Sequence, residues 1–284
     1  RRFVLRVNGA EIDVMVRVRG KSRARVCEFP PLRISFPEGQ SETVFAGQES
    51  LKLVSHCRDG KKGESNAMEE YMAYRIFNLL SPASYRVRPL RIHFRDSAKR
   101  GDGDLRYGFL VESSSDLAAR NQGQMVDRKG ISLGQLDPEQ AALTYVFQYM
   151  IGNTDWSLVA AEEDEFCCHN GKLLDIGGVI HYVPYDFDLS GLVNASYAKP
   201  DPSLKLRNVR LRRYRGFCSN QQVVLDAVKK VVSLKSRVME VATTTPGLTG
   251  REHRNSVTYL EAFFDKASDS EELAEKYKRR CIEP

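Results

Sequence analysis

Apolar and polar residues alternate through the first twenty positions. FVLRV (3–7) and IDVMVRVRG (12–20) each place an apolar residue at every second position, with Asn8-Gly9 between them. A period of two sends successive side chains to opposite faces of a strand, and Asn-Gly supplies the left-handed backbone of a tight turn, so the pattern predicts a β-hairpin. PLRISF (31–36) and LKLVSHC (51–57) continue the alternation as two further strands. After the loop RDGKKGES, Met68, Met72, Ile76 and Leu79 or Leu80 recur at helical spacing, with Ser65 or Asn66 as the expected cap and Pro82 following the end. RVRPLRIHF (86–94) and LRYGFLVES (105–113) predict another strand pair, joined by the polar loop 96–104.

The pattern changes after residue 113. Asp137-Pro138 opens EQAALTYVFQYMIG, which is apolar nearly all round and predicts a buried helix stopping at Gly152, with the loop NTDWS behind it. FCCHNGKLLDI and VIHYVPYDFD predict two strands about Gly177-Gly178. NQQVVLDAVKKVVSLKSRVMEVA (220–242) reads as one amphipathic helix capped by Asn220, and helices are expected near 255–265 and 270–281. The expected fold class is α+β. Residues 1–113 form a small antiparallel-strand lobe with one helix, and residues 114–284 a larger, mainly helical lobe carrying the NTDW and DFD motifs.

Composition narrows the function classes. The 284 residues are 42% hydrophobic and 28% charged, the balance of a globular chain rather than of collagen, coiled coil or disordered sequence. No run approaches the roughly 18–20 apolar residues of a bilayer-spanning helix, and RRFVLRVNGA has no signal-peptide core, so no membrane span is expected and any export signal has been removed or never existed. The net charge of +6 is concentrated in Arg17, Arg19, Lys21, Arg23 and Arg25, and in Arg207, Arg210, Arg212, Arg213 and Arg215. Such density points to an anionic partner, most simply phosphate, or to basic residues guarding a strand edge. No nucleic-acid-binding signature accompanies it, so nucleic acid is not an expected partner. Six cysteines, at 27, 57, 167, 168, 218 and 281, lack paired C-x-x-C zinc spacing; three disulfides or buried thiols both fit. On a strand, Cys167 and Cys168 would face opposite ways and pair with distant partners.

The residues able to do chemistry lie at the ends of these elements. Asp155 follows the buried helix, Asn170 stands in CCHN, and Asp186 and Asp188 sit in PYDFD. Oxygen donors there can hold a divalent cation, and in an extended stretch Asp186 and Asp188 project to one side. A lone Asp after a helix also serves as a turn or cap residue, whereas two carboxylates ending an apolar strand call for a cation or an arginine. Lys52 lies mid-strand and Glu69 and Glu70 begin the next helix. Such a pair anchors nucleotide phosphates in phosphotransferases; the alternative is a solvent-facing lysine and glutamates interacting with the helix dipole.

Lys52, Glu70, Asp155, Asn170 and Asp186 follow the linear order of a two-lobed phosphotransferase. With the stretches VRVRGKSRARVCEFPPLRISF, LKLVSHCRDGKKGESNAMEEYMAYRIFNLLSPASYRVRPLRIHF, YGFLVES, GNTDWS and VPYDFDLSG, the chain resembles the CotH kinase-like family, atypical secreted or envelope-associated protein kinases. The resemblance covers most of residues 12–195 and is sharpest at Arg19-Gly20, the N-x-D loop and the P-x-D-x-D strand end. It implies an atypical protein-kinase-like fold with an ATP site, holding Mg²⁺ or Mn²⁺, between two lobes, and phosphate transfer to a Ser or Thr hydroxyl of a protein substrate. Asp155 would be the catalytic aspartate, Asp186 the metal-binding aspartate, and Asp188 or Asn170 a further ligand. Lys52 with Glu70 would position the nucleotide, with Arg33 as the other candidate, and Arg19 and Lys21 in RGKSR would form the phosphate-side loop.

The sequence departs from the family at three places. SLVAAEEDEFCC separates Asp155 from Asn170, CEFPPLRISF replaces a double lysine, and there is no G-x-G-x-x-G. The resemblance also implies an exported protein, periplasmic, extracellular or envelope-associated, with disulfides joining Cys27 to Cys57 and Cys218 to Cys167 or Cys168. A metal site at Cys167, Cys168 and His169 is disfavoured, because three consecutive residues rarely converge on one ion. Two other functions compete. A non-catalytic binding scaffold would account for the missing lysines, and DFDLS resembles the D-x-D-x-[ST] start of a haloacid-dehalogenase-type phosphohydrolase, although no alternating βα units are expected after it.

Overall fold

Strands β1 (Arg2–Val7) and β2 (Ala10–Val18) form the expected hairpin, turned by Asn8 and Gly9 at φ 48° and 81°. In this computed structural model, residues 1–20, 23–37, 42–96, 98, 103–161, 163 and 165–283 are described. A short helix α1 (Arg23–Val26) leads to β3 (Leu32–Ser35) and β4 (Ser50–Val54). Helix α2 (Gly60–Leu80) precedes β5 (Val87–Phe94) and β6 (Asp104–Val111). The six strands make one antiparallel sheet in the order β1-β2-β3-β4-β6-β5. Alternation buries one face of it: Ile12, Val14, Ile34, Leu51, Leu53 and Leu110 pack into a single cluster with Phe45. Burying such side chains supplies about 1.5–3 kcal/mol each.

The second half opens with α3 (Ser114–Arg120) and β7 (Gln124–Val126), neither of which the apolar pattern predicts. Helix α4 (Pro138–Ile151) is buried almost throughout. Strands β8 (Gly171–Ile176) and β9 (Val179–Pro184) form a hairpin, and β7 joins it in a three-stranded sheet. Helices α5 (Gln221–Ser233), α6 (Lys235–Thr244), α7 (Gly250–Phe264) and α8 (Ser270–Lys278) follow. The fold is therefore α+β. None of the described helices is long and apolar enough to cross a membrane.

The chain divides into two compact units, residues 1–68 with 87–113, and residues 69–86 with 114–284. The stretch 69–86 belongs with the second because its side chains are anchored there. Phe77 packs on Phe147 of α4, and the Ser81 hydroxyl donates to Gln140 Oε1 at 2.7 Å.

Several expected boundaries move. Helix α2 starts at Gly60 instead of Ser65, so most of RDGKKGES is helical. Asp59 meets its entrance, Oδ1 accepting from Gly60 N, while the Ser65 hydroxyl donates back to Lys61 O inside the helix instead of capping it. The single helix expected over 220–242 is two, because Leu234 takes φ −96°, ψ 8° and its N–H closes a tight turn onto Val231 O. Helix α7 begins at Gly250, set by a capping box between Thr249 and Glu252.

All six cysteines are paired. Cys27 joins Cys57 as expected, but Cys218 joins Cys281, and Cys167 joins its neighbour Cys168. The expectation of distant partners assumed a strand there. Residues 167–168 instead lie in a bend before β8 begins, where strict alternation of faces does not apply.

Candidate active site

Helix α4 carries the site at its C-terminal end. Asp137 starts the helix by accepting from Gln140 N at 2.6 Å, with Pro138 in the first position. Gly152 ends it at φ 66°, a left-handed conformation, and a Cβ there would overlap the Tyr259 hydroxyl, so the stop requires glycine. The next turn folds on Asn153. Its Oδ1 accepts from Asp155 N at 3.0 Å and its carbonyl from Trp156 Nε1 at 3.1 Å.

Asp155 meets two residues that lie just before β8. His169 Nε2 is 2.9 Å from Asp155 Oδ1, and Asn170 Nδ2 donates to Asp155 Oδ2 at 2.7 Å and to its carbonyl at 2.6 Å. Both carboxylate oxygens are thus held. Asn170 sits at φ 52°, a left-handed conformation that asparagine tolerates better than most residues. Its carbonyl accepts from Tyr185 N at 3.0 Å, which fixes the residue immediately before Asp186 against the partner of Asp155. Beyond Asp188 the chain returns to the end of α4, with Gly191 N on Gly152 O at 3.1 Å and Leu192 N on Ile151 O at 2.9 Å.

Asp186 donates its N–H to the Tyr74 hydroxyl at 2.9 Å, and Tyr74 packs edge-on against Phe187. Asp188 is buried and accepts from the Tyr197 hydroxyl at 2.9 Å. The stretch is not extended, since β9 ends at Pro184 and Asp186 takes φ 65°. The expectation that Asp186 and Asp188 share a side rested on an extended chain and does not apply. Among the described residues no three His, Cys, Asp or Glu side chains converge as a metal cluster.

A cavity of about 310 Å³ lies beside Asp155, lined by Asp155, His169, Leu189, Lys199, Asp201 and Arg215 among others. The basic run 207–215 is not a strand edge, and its inward members are committed to the protein. Arg212 donates from Nε to Met150 O at 3.0 Å and from Nη2 to Tyr259 O at 2.5 Å, its guanidinium 3.9 Å above the Tyr259 ring. Arg215 Nη1 donates to Thr154 O and, at 3.2 Å, to Trp156 O. Burial pushes both guanidinium groups below the usual arginine range, and for Arg215 the charges of Asp201 and Asp155 act the other way. These two arginines complement the carbonyl-rich end of α4 and the loop behind it.

In the first unit, the strand register sets Arg17 opposite Arg33 and Arg33 opposite Lys52, a row of three cations across β2, β3 and β4. Arg33 Nη1 donates to Ser50 Oγ at 3.4 Å, and burial followed by Arg17 and Arg19 lowers its pKa. Arg19 is half-buried, its N–H on Pro31 O at 2.9 Å; Lys21 lies outside the described residues. Glu70 is buried in the part of α2 that belongs to the second unit. Two members of the site carry little signal in the sequence: His169 stands out only through its adjacency to Asn170, and Arg215 only as one of a cluster of positive charges.

No family model matches the chain, and no curated protein matches it. Among solved structures it is similar to the crystal structure of a Helicobacter pylori proinflammatory kinase, CtkA, at 12% sequence identity and a TM-score of 0.45, over 93% of this chain and 97% of that one. That likeness is too distant to assign an activity.

Proposed function

We propose that the protein is an ATP- and divalent-metal-dependent phosphotransferase of the CotH-like kind, transferring phosphate to a protein hydroxyl. One observation carries the reading. Asn170 spans from the Asp155 carboxylate to Tyr185 N, so residues far apart in sequence, a loop aspartate and the segment entering the Asp-Phe-Asp motif, are tied together by a single residue.

In this reading Asp155 accepts the proton of an acceptor hydroxyl bound in the adjoining cavity. His169 and Asn170 hold one carboxylate oxygen each, which fixes the plane of the group before the acceptor arrives. The donor set suits a hard cation: carboxylates at Asp186 and Asp188, and the amide oxygen of Asn170, whose nitrogen is already engaged by Asp155. Mg²⁺ and Mn²⁺ commonly take few protein ligands and complete their shell with phosphate oxygens and water, so these three residues are the proposed metal ligands. Such a cation, when bound, neutralises charge developing on the transferred phosphoryl group. In the first unit, Arg33 and Lys52 are proposed to hold nucleotide phosphates, since cations placed directly opposite each other on neighbouring strands repel and an anion relieves that repulsion. Arg19 and Lys21 are proposed as the phosphate-side loop and Glu70 as a nucleotide-positioning carboxylate. The three disulfides are compatible with an oxidising compartment, and an exported location is proposed on that ground.

The test is transfer of labelled γ-phosphate from ATP, with Mg²⁺ or Mn²⁺, to the protein itself and to a mixed Ser/Thr acceptor protein. Asp155→Asn and Asp186→Asn are the informative variants, the second because asparagine tolerates the φ of 65° at that position. Each is expected to lose about 10²-fold or more in rate with circular dichroism unchanged. Full turnover in Asp186→Asn refutes the mechanism. Absence of nucleotide binding by calorimetry at millimolar ATP favours the non-catalytic scaffold instead. The phosphohydrolase reading loses its motif context, because α5–α8 and no further strand element follow Asp188 among the described residues.

A further inference from the structure

Arg215 bonds the backbone on both sides of Asp155. Its guanidinium donates to the carbonyl of Thr154 and to that of Trp156, lies 5.9 Å from the Trp156 ring centre, and lines the cavity beside Asp155. The segment that delivers it is anchored from the opposite side. Tyr214 stacks on Tyr277 of α8 with ring centres 4.1 Å apart, and Cys218 is bonded to Cys281. Cys218 N donates to Ile282 O at 2.9 Å and Ile282 N to Gly216 O at 3.0 Å. A planar guanidinium on a fixed segment, its Nη1 bonded to two carbonyls two residues apart, determines the peptide planes on either side of Asp155 and hence where its carboxylate leaves the backbone.

We propose that Arg215 is the positioning residue of the Asp155 loop, clamping the Thr154 and Trp156 carbonyls so that the carboxylate is held for the acceptor in the adjoining cavity. The clamp acts through the position of Asp155, so it governs turnover rather than nucleotide affinity. The inference rests on the phosphotransferase reading for its effect on rate, but its effect on the loop is independent of that reading. Trp156 is the only tryptophan of the chain and lies inside the clamped turn, so its emission reports the loop directly.

The experiment compares the parent with Arg215→Met, which keeps an apolar stem against Trp156 and removes every donor, and with Arg215→Lys, which keeps the charge and one donor centre. Trp156 emission, acrylamide quenching and steady-state anisotropy are measured beside circular dichroism, and phosphotransfer is measured with ATP and the same acceptor protein. For Arg215→Met the expected result is increased quenching and lower anisotropy at native circular dichroism. The rate falls about 10- to 100-fold with nucleotide KM within about twofold, since a displacement on the order of 1 Å is enough for that loss. Arg215→Lys is expected to recover part of both signals, and low concentrations of methylguanidinium are expected to restore the methionine variant partly. If Arg215→Met does not fold, Arg215→Lys alone decides by the same two signals. Unchanged quenching and anisotropy in a folded variant overturn the proposal, as does a loss confined to nucleotide KM. A changed Trp156 signal in a protein whose parent transfers no phosphate upholds the clamp and removes the phosphotransferase reading.

Discussion

Asn170 makes two separable contributions to the candidate site, and two substitutions at that one position divide them. Its side-chain amide bonds the Asp155 carbonyl at 2.6 Å and the Asp155 carboxylate at 2.7 Å, while its backbone holds φ 52°. Asn170→Gly and Asn170→Ala remove the same amide. One neutral hydrogen bond contributes about 1 kcal/mol and one to a charged group about 1.5–3 kcal/mol, and the half-exposed setting favours the lower end, so roughly 2–3 kcal/mol of positioning is lost. Expressed in the barrier, that is a rate lower by roughly 30- to 150-fold in both variants. The backbone separates them. Alanine in the left-handed region costs about 1–2 kcal/mol, and glycine costs none there but loses roughly 0.5–1 kcal/mol through its freer unfolded chain. Asn170→Gly should therefore be the more stable by about 0.5–1 kcal/mol, the reverse of the order at an ordinary position.

Thermal unfolding followed by circular dichroism reads the stability difference as a Tm higher by a few degrees in Asn170→Gly, at roughly 2–4 °C per kcal/mol for a chain of this size. Phosphotransfer from ATP reads the common loss. Activity in Asn170→Gly within threefold of the parent would show that the amide does not position Asp155. An alanine variant more stable than the glycine variant would show that the backbone at residue 170 is not left-handed in solution.

Three more outcomes test other parts of the molecule. His56 is buried against Phe29, with rings stacked 4.8 Å apart, and burial, then Arg106, lowers its pKa. The unfolded chain thus binds the proton more readily, so the first unit keeps this contribution above the ordinary imidazole value of about 6.5 and loses it as pH falls below; urea midpoints at acidic and neutral pH should converge in His56→Phe. Replacing Cys27 and Cys57 by serine removes a crosslink spanning 30 residues, and the loop-entropy relation predicts a loss of about 3–4 kcal/mol, read as a lower urea midpoint, whereas an unchanged midpoint would mean the bond constrains nothing in the unfolded chain. Gln140→Leu strands the Ser81 hydroxyl and the carbonyls of Ala83 and Tyr182, all now bonded at 2.7, 3.1 and 2.9 Å, and should cost about 3 kcal/mol; a loss under 1 kcal/mol would refute the accounting.

Elements governed by a simple period were legible in the sequence. The hairpin around Asn8-Gly9, the strand pair β5–β6 and helix α4 between Pro138 and Gly152 all announce themselves by alternation or by punctuation. The first turn of α2 did not, because Lys61, Lys62 and Glu64 are polar and give no apolar period. Nor did the break at Leu234, where the apolar spacing continues across it. Asp155 and Asn170 were both candidates, but nothing in the sequence says that the turn before β8 closes onto the end of α4, because that contact depends on the β8–β9 register, Gly171 opposite Pro184. Arg215 was the least legible. Its partners are main-chain carbonyls, which leave no residue signature, so its role disappears into a count of positive charges.

The position of Asp155 therefore depends on how α4 itself is fixed. A helix buried on nearly every side gains about the same apolar area in several rotations and axial settings, and area alone selects none of them. Directional bonds make the selection. Gln140, 4% exposed in the first turn, accepts from Ser81 and donates to Ala83 O and Tyr182 O. Tyr182 lies in β9, two residues before Pro184 ends the strand that leads to Asp186. At the other end Gly152 admits the left-handed stop and Arg212 bonds Met150 O. A slip of one residue along the axis is about 1.5 Å and a rotation of about 100°, and either breaks every one of those bonds at once. The same glutamine that fixes α4 also holds the strand that leads to the second acidic motif, so a register error would displace Asp155 and the approach to Asp186 together.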